Sequence, residues 1–461
     1  MANKLIFQVF FLTLSEFAHA FLSVTSPLPA SMTQNTIHQQ FKTTKPFRAT
    51  MESDIIVSSG ESLDVRIHGT WYDLQHWRKS HPAGESWIDM YKNRDCTEVM
   101  DAFHSEKARK MWQRLPKSKE IIANQLEKTV PAVTPVQKEY RKLRMKLESE
   151  GWFKRDIVHE AKLLFILSSL FTGAVVSATK LPILSTILLS LAFTNAGWIG
   201  HDYIHGTDKF CKRMRMLAPL LGGLGCSWWR EKHNRHHAYT NQMGVDGDMA
   251  EGPFLFTYAP DPSKDSPLRK VQHVTFPFVF SLLFLLWRVR SIQVVIPAVR
   301  DNRLQAKKEL FSLLVHYIAL FTIFPTNIWV PAIFLSGLIS ACIVTPTHQS
   351  DAFFIDEQDD WVTAQFTSTR NAVLTNPFST WLWGGMQYQL EHHLFPSMPR
   401  SKYPKLRSII RAFAQKNGLN YLESGEVEIL KMNWELYRDV ASADTITGSP
   451  KSCFQNNKDK V

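Results

Sequence analysis

The chain has 461 residues, 44% of them hydrophobic, and a formal net charge of +11. That length admits more than one domain. The excess of Lys and Arg sits beside long apolar runs, so it points to a membrane surface; no zinc finger, RNA-binding signature or basic low-complexity arm accompanies it, and nucleic acid is set aside. The five cysteines (Cys96, Cys211, Cys226, Cys342 and Cys453) are scattered, with no CxxC pair, which argues against a disulfide framework.

Residues 1–50 read as a targeting presequence. Lys4 precedes the apolar run Leu5 to Leu14, and Ala18-His19-Ala20 supplies the small-x-small pattern of a cleavage site. From Phe21 to Thr50 there is no Asp or Glu, while Ser, Thr, Lys and Arg are frequent. Together these resemble the two-part presequence of algae with complex plastids. The expected location is a plastid membrane, with the endoplasmic reticulum as the alternative.

Residues 52–118 read as a small soluble domain, with short apolar stretches alternating with polar turns and five tryptophans or tyrosines between Trp71 and Tyr91. Residues 119–158 are highly charged and predict a helical connector. Apolar spans are expected at Ala161–Thr179 and Leu181–Gly200, separated only by Lys180. A second pair is expected at Leu310–Phe324 and Ile328–Thr345, joined by Pro325-Thr326-Asn327. Met214–Trp229 and Phe276–Trp287 are shorter and broken by Gly, Pro or Arg, which predicts interfacial or re-entrant segments. Four spans place the soluble domain, residues 201–309 and everything after 346 on one face. Arg141, Lys142, Arg144, Lys146, Lys154, Arg155, Lys209, Lys212, Arg213 and Arg215 share that face, and Lys180 lies opposite. The membrane domain is expected to run over 159–440, followed by a disordered tail, 441–461.

Histidine carries the chemistry. His201-Asp202-Tyr203-Ile204-His205 follows the second span directly, and on a helix positions i and i+4 share a face. His233-Asn234-Arg235-His236-His237 gives three more, and Gln389-Leu390-Glu391-His392-His393 two, with Gln389 where the second cluster has its first histidine. Seven of the 17 histidines therefore fall in three five-residue windows. A lone histidine is usually structural, and His316 gets that reading; His159 and His273 receive no functional role. Seven histidines and a glutamine exceed the needs of one tetrahedral zinc and suggest two metals, iron if the chemistry is oxidative. Asp202, Asn234, Asn241 and Glu391 are candidates to orient the imidazoles, or else solvated surface residues.

HDYIH, HNRHH and QLEHH, in this order and separated by paired spans, resemble the three histidine boxes of the membrane fatty acid desaturase superfamily. Trp228-Trp229, the run from Gln387 to Pro396, Met398-Pro399-Arg400, Asp360-Trp361-Val362-Thr363 and Arg370-Asn371 extend the likeness over about residues 155–440. The glutamine of the third box is similar to that of front-end desaturases. The resemblance implies a di-iron centre held by His201, His205, His233, His236, His237, His392 and His393, with Gln389 and His348 completing or supporting it. It also brings O2 as co-substrate and a fatty acyl lipid or acyl-CoA as substrate.

His81-Pro82-Ala83-Gly84 and Ala102-Phe103-His104 lie among aromatics, where two histidines can clamp a haem. From Ile67 to His104 the block resembles the cytochrome b5 domain of front-end desaturases, except that Ala83 replaces the first glycine of an HPGG motif. The resemblance implies a b-type haem on His81 and His104, fed by a cytochrome b5 reductase or another electron donor. The expected fold is mainly α: a four-transmembrane-helix di-iron desaturase domain with a cytosol- or stroma-facing histidine cap, after a small α+β cytochrome b5-like domain. The expected activity is O2-dependent front-end desaturation of acyl chains. Rival readings are a sphingolipid long-chain-base desaturase, a hydroxylase of the same superfamily and a non-enzymatic membrane haem- or lipid-binding protein.

Overall fold

A computed structural model describes residues 62–301 and 303–445. The expected presequence and all but the first residues of the expected tail lie outside the described residues. The described residues divide into two compact units, one of 62–95 with 115–130, the other of 96–114 with 131–445.

In the smaller unit, strands β1 (Asp64–Ile67) and β2 (Thr70–Asp73) pair antiparallel. The two residues between them, His68 and Gly69, both have positive φ (49° and 75°). That is the backbone a two-residue hairpin demands of its turn. Leu63, Val65, Ile67, Trp71, Tyr72 and Leu74 are buried, and the Trp71 indole donates to Glu127 at 2.9 Å.

The larger unit is mainly helical. Its elements include α1 (Thr97–Phe103), α2 (Pro135–Ser149), α3 (Ile157–Ser177), α4 (Pro182–His205), α5 (Cys226–Ala238), α6 (Gln272–Ser281), α7 (Leu283–Arg300) and α8 (Leu304–Ile323). After them come α9 (Thr326–Val344, extended by Pro346–Gln349), α10 (Trp361–Ser368), α11 (Gln389–Leu394) and α12 (Glu426–Ser442). Helix starts carry their usual chemistry. Thr134 and Gln137 form a capping box at α2, Asp156 caps α3 through the Val158 and His159 amides, and Pro182 opens α4.

Three helices among the described residues are long and apolar enough to cross a membrane: Ile157–Ser177, Pro182–His205 and Thr326–Gln349. Two of the expected spans lie in the α3–α4 hairpin, and the expected Ile328–Thr345 lies in α9. The expected span Leu310–Phe324 is not in this set. It falls in α8, whose first turns carry Gln305, Lys307, Lys308 and Glu309 and leave the apolar part short. A fourth crossing is supplied only if Pro267–Ser281 and Leu283–Arg300 count as one span; they meet at a 59° bend. This broken pair contains the Phe276–Trp287 segment read as interfacial or re-entrant.

Helices α3, α4, α7, α8 and α9 share a core of Ala174, Leu189, Phe193, Phe284, Leu320, Ile328 and Ala332, all buried. A Cβ on Gly337 of α9 would lie 2.5 Å from the Ser281 carbonyl oxygen, so only glycine lets α9 pass the bend this closely. Large apolar side chains on the outer faces, among them Val176, Ile183, Phe311 and Ile318, remain exposed, as suits a surface that meets lipid.

Helix α2 is more than a connector. Its Tyr140, Arg144 and Leu147 are buried, and the Tyr140 hydroxyl donates to the Leu394 carbonyl at the end of α11. Its capping residue Thr134 donates to Asp360, the N-cap of α10.

Candidate metal centre

The three histidine clusters sit on three helices. His201 and His205 close α4, His233, His236 and His237 end α5, and His392 and His393 lie on α11. His348 adds to them from the end of α9. These elements bring eight imidazoles together in two groups. His201, His205, His233, His237 and His392 form one; His236, His348 and His393 form the other. Within each group the candidate ligand nitrogens all lie within 4.8 Å of one another.

The helical period explains the division. On α5, His233 and His237 are one turn apart and face the first group, while His236 is rotated toward the second. On α11 adjacent His392 and His393 do the same.

Five rings are oriented by a bond at Nδ1. His236 donates to Asp246 at 2.8 Å, His393 to the Gln365 carbonyl oxygen at 2.9 Å and His392 to the Tyr403 hydroxyl at 3.1 Å. His233 and His348 make longer contacts, each of 3.4 Å, to Asp248 and the Ser368 carbonyl. A proton fixed on Nδ1 leaves the lone pair on Nε2, the nitrogen that a metal takes. Nε2 of His392 and of His393 is buried without a hydrogen-bond partner, as are both ring nitrogens of His205. The Nε2 atoms of His201 and His233 face each other at 2.7 Å. Lone pairs converging on one interior, several of them without a hydrogen-bond partner, are a donor set that fits metal ions.

Electrostatics agree. Burial holds His237, His392 and His393 well below the usual imidazole range, and neighbouring imidazoles push in the same direction. They stay neutral, the form that ligates. Burial also acts to lower His236, but the Asp246 carboxylate outweighs it and the net shift is upward.

Of the four residues expected to orient the imidazoles, none bonds a ligand ring. Asp202 pairs with Arg155 at 2.5 Å; Asn241 donates to the His348 and Ala352 carbonyls; Glu391 accepts from Asn371 and Tyr421. Asn234 is half-buried and its side-chain oxygen has no partner. Of the four, Asn241 braces backbone carbonyls, while Asp202 and Glu391 bond other side chains. The residues that hold the rings (Asp246, Asp248, Gln365 and Tyr403) were not singled out from the sequence. Asp246 and Asp248 stand in the Gly-Asp-rich stretch just after the second cluster, which could have marked them. Gln389 is buried on α11, one turn before His393. His316 belongs to neither group; its Nδ1 bonds the Leu220 carbonyl at 3.1 Å, in keeping with its structural reading.

Each expected haem ligand has its local setting. His81 Nδ1 lies 2.9 Å from the Gly84 carbonyl, and His104 Nδ1 lies 3.1 Å from the Met100 carbonyl, which turns Nε2 of each into the lone-pair nitrogen. The positive φ of this turn, 103°, falls on Gly84 and not on Ala83. Alanine in place of the first motif glycine is therefore free of backbone strain.

Eight convergent imidazoles, beside helices long and apolar enough to cross a membrane, point to a membrane protein with a polyhistidine site whose donor set fits metal ions. A family model described as Fatty acid desaturase matches residues 178–425, more than half of the chain, and one described as Cytochrome b5-like Heme/Steroid binding domain matches residues 57–123. The chain belongs to the fatty acid desaturase family, whose members are oxidoreductases. It is 28% identical to the Delta(6)-fatty-acid desaturase fat-3 of Caenorhabditis elegans, over 84% of this chain and 98% of that one. It is 25% identical to the Acyl-lipid 8-desaturase of Rebecca salina (83% and 92%) and 27% identical to the Delta(5) fatty acid desaturase fat-4 of C. elegans (83% and 96%).

Proposed function

We propose that the protein is a front-end acyl desaturase that inserts a double bond between an existing one and the carboxyl end. The observation that carries this reading is the pair of histidine groups, whose nitrogens lie within 4.8 Å of one another in each. Two irons are assigned to them, held by His201, His205, His233, His237 and His392 on one side and by His236, His348 and His393 on the other, with Gln389 in support. Bound iron supplies the oxidant made from O2 that an unactivated methylene requires. The protein holds the imidazoles neutral, turns Nε2 inward and keeps water away from the buried rings.

A b-type haem on His81 and His104 is assigned as the electron donor; the family match at 57–123 and the two Nδ1–carbonyl contacts support it. A tethered donor works at an effective concentration in about the millimolar range. The donor domain spans 52–118 and the membrane domain 159–440, with the histidine cap facing the cytosol or stroma.

Relatives named for positions 5, 6 and 8 support front-end action. A polyunsaturated C18 or C20 acyl group and a Δ6-like position are the assigned substrate and outcome. Expression in a host fed linoleate and α-linolenate tests this, with double-bond positions read by mass spectrometry. New bonds on the carboxyl side are expected. Bonds only on the methyl side, or hydroxylated products, overturn the reading. Delivery to a plastid membrane is proposed from residues 1–50, and a fluorescent fusion of residues 1–60 that labels only the endoplasmic reticulum overturns it.

A further inference from the structure

Helix α1 is held to α2 by charged groups, of which Glu98 and Arg144 are buried. Arg141 Nε contacts Glu98 Oε1 at 2.7 Å, where Glu98 is 3% exposed, and buried Arg144 donates to the Asp101 carbonyl. Helix α2 is tied in turn to the metal-bearing elements through Tyr140 and the Leu394 carbonyl, and through Thr134 and Asp360. The last residue of α1, Phe103, is thereby fixed in place. Its ring meets the His237 ring edge-on, with centroids 6.3 Å apart and planes at 76°. His237 itself is pinned by two donors to its carbonyl, the Trp361 indole at 3.0 Å and the Gln365 amide at 3.2 Å.

The residue after Phe103 is His104. One peptide link, one benzyl ring and one through-space step therefore separate an assigned haem ligand from a member of the five-histidine group. Phe103 is half-buried, while the fully buried positions of the helix are Thr97, Glu98, Val99, Asp101 and Ala102.

We propose that Phe103 is the electron relay between the donor domain and the metal centre, passing electrons from His104 to His237. This rests on the haem and iron assignments made above. In each passage a ferrous haem becomes ferric and the histidine-held iron centre gains that one electron. No covalent bond is made or broken, and no proton has to cross the apolar ring. Two passages per turnover, with the two hydrogens removed from the acyl chain and two protons taken up from solvent, supply the four electrons and four protons that reduce one O2 to two waters. An aromatic ring suits the role because it fills the gap with polarisable π density and excludes water. Phe103 is a positioning residue in this sense: it acts through the two histidines and touches no substrate.

The test uses the full-length holoenzyme in detergent, reduced anaerobically and then mixed rapidly with O2 and α-linolenoyl substrate. Haem reoxidation is followed by its absorbance, and haem and iron contents are measured on the same sample. In Phe103→Leu both contents should stay at the wild-type level while haem reoxidation slows about tenfold or more, equivalent to at least 1.4 kcal/mol in the barrier. Phe103→Tyr, which keeps the ring, should restore fast reoxidation, and Phe103→Met serves if the leucine variant does not fold. When dithionite reduces the metal centre directly, single-turnover product from Phe103→Leu should match the wild type. Wild-type reoxidation rates in haem- and iron-replete Phe103→Leu or Phe103→Met overturn the relay. So does a loss of product that dithionite does not repair, because Phe103 is then merely a support for His237. A colourless wild-type protein overturns the haem assignment and takes the relay with it.

Discussion

Asp246 accepts a hydrogen bond from His236 Nδ1 at 2.8 Å, and both side chains are buried. The same carboxylate oxygen accepts from the Asn241 backbone amide at 2.8 Å, so the loop after α5 and the ring on α5 are fixed together. A carboxylate in this place orients the ring and raises its basicity as a ligand.

Asp246→Ala should therefore weaken metal binding at the His236, His348 and His393 group by about 10- to 100-fold. Asp246→Asn keeps an acceptor but loses the charge and should fall between. Iron per folded protein, measured after dialysis against a graded chelator, checks both.

His393→Ala and His316→Ala separate ligand from framework. Both histidines are buried, but only His393 belongs to a convergent group. His393→Ala should lose iron and desaturation while keeping haem absorbance. His316→Ala should retain iron per folded molecule. Full desaturation by His393→Ala would remove it from the ligand set.

Gly337→Val tests the passage of α9 over the bend between α6 and α7. The added side chain meets the Ser281 carbonyl, and overpacking of this kind costs about 1–3 kcal/mol. A lowered Tm in detergent is expected, whereas an unchanged Tm would mean that the two helices can separate without loss.

The haem turn makes opposite predictions at neighbouring positions. Ala83→Gly should leave haem content unchanged, because position 83 needs no positive φ. Gly84→Val forces a β-branched residue to φ near +103°, at a cost of roughly 1–3 kcal/mol, and should lower haem content in the full-length protein. Equal haem in both variants would show that this turn does not govern haem binding.

The centre was legible where its signal is local. Histidines four apart at the end of an apolar run declare a shared face, and all seven from the three clusters converge. The partners of those rings were not legible, because Gln365 and Tyr403 reach His393 and His392 from separate elements and contact at such range leaves no spacing in the sequence. Of the four orienting candidates, Asp202, Asn234 and Glu391 adjoin a histidine along the chain. Side chains adjacent in a helix point in different directions, and Asp202 pairs with Arg155 rather than with a ligand ring. The expected span Leu310–Phe324 was read apart from the charged turns that share its helix, which carry Lys307, Lys308 and Glu309. The bend at Leu282 was anticipated as a broken segment, but its close fit to Gly337 depends on tertiary approach alone.

Helices α5 and α11 each contribute to both histidine groups. This shared ownership couples the two groups, since rotating either helix to suit one group spoils the other. Loading should accordingly be concerted, with molecules carrying two metals or none and few carrying one. The short helical turns at the ends of α5 and α11 thus act as a yoke, fixing the separation of the two histidine groups.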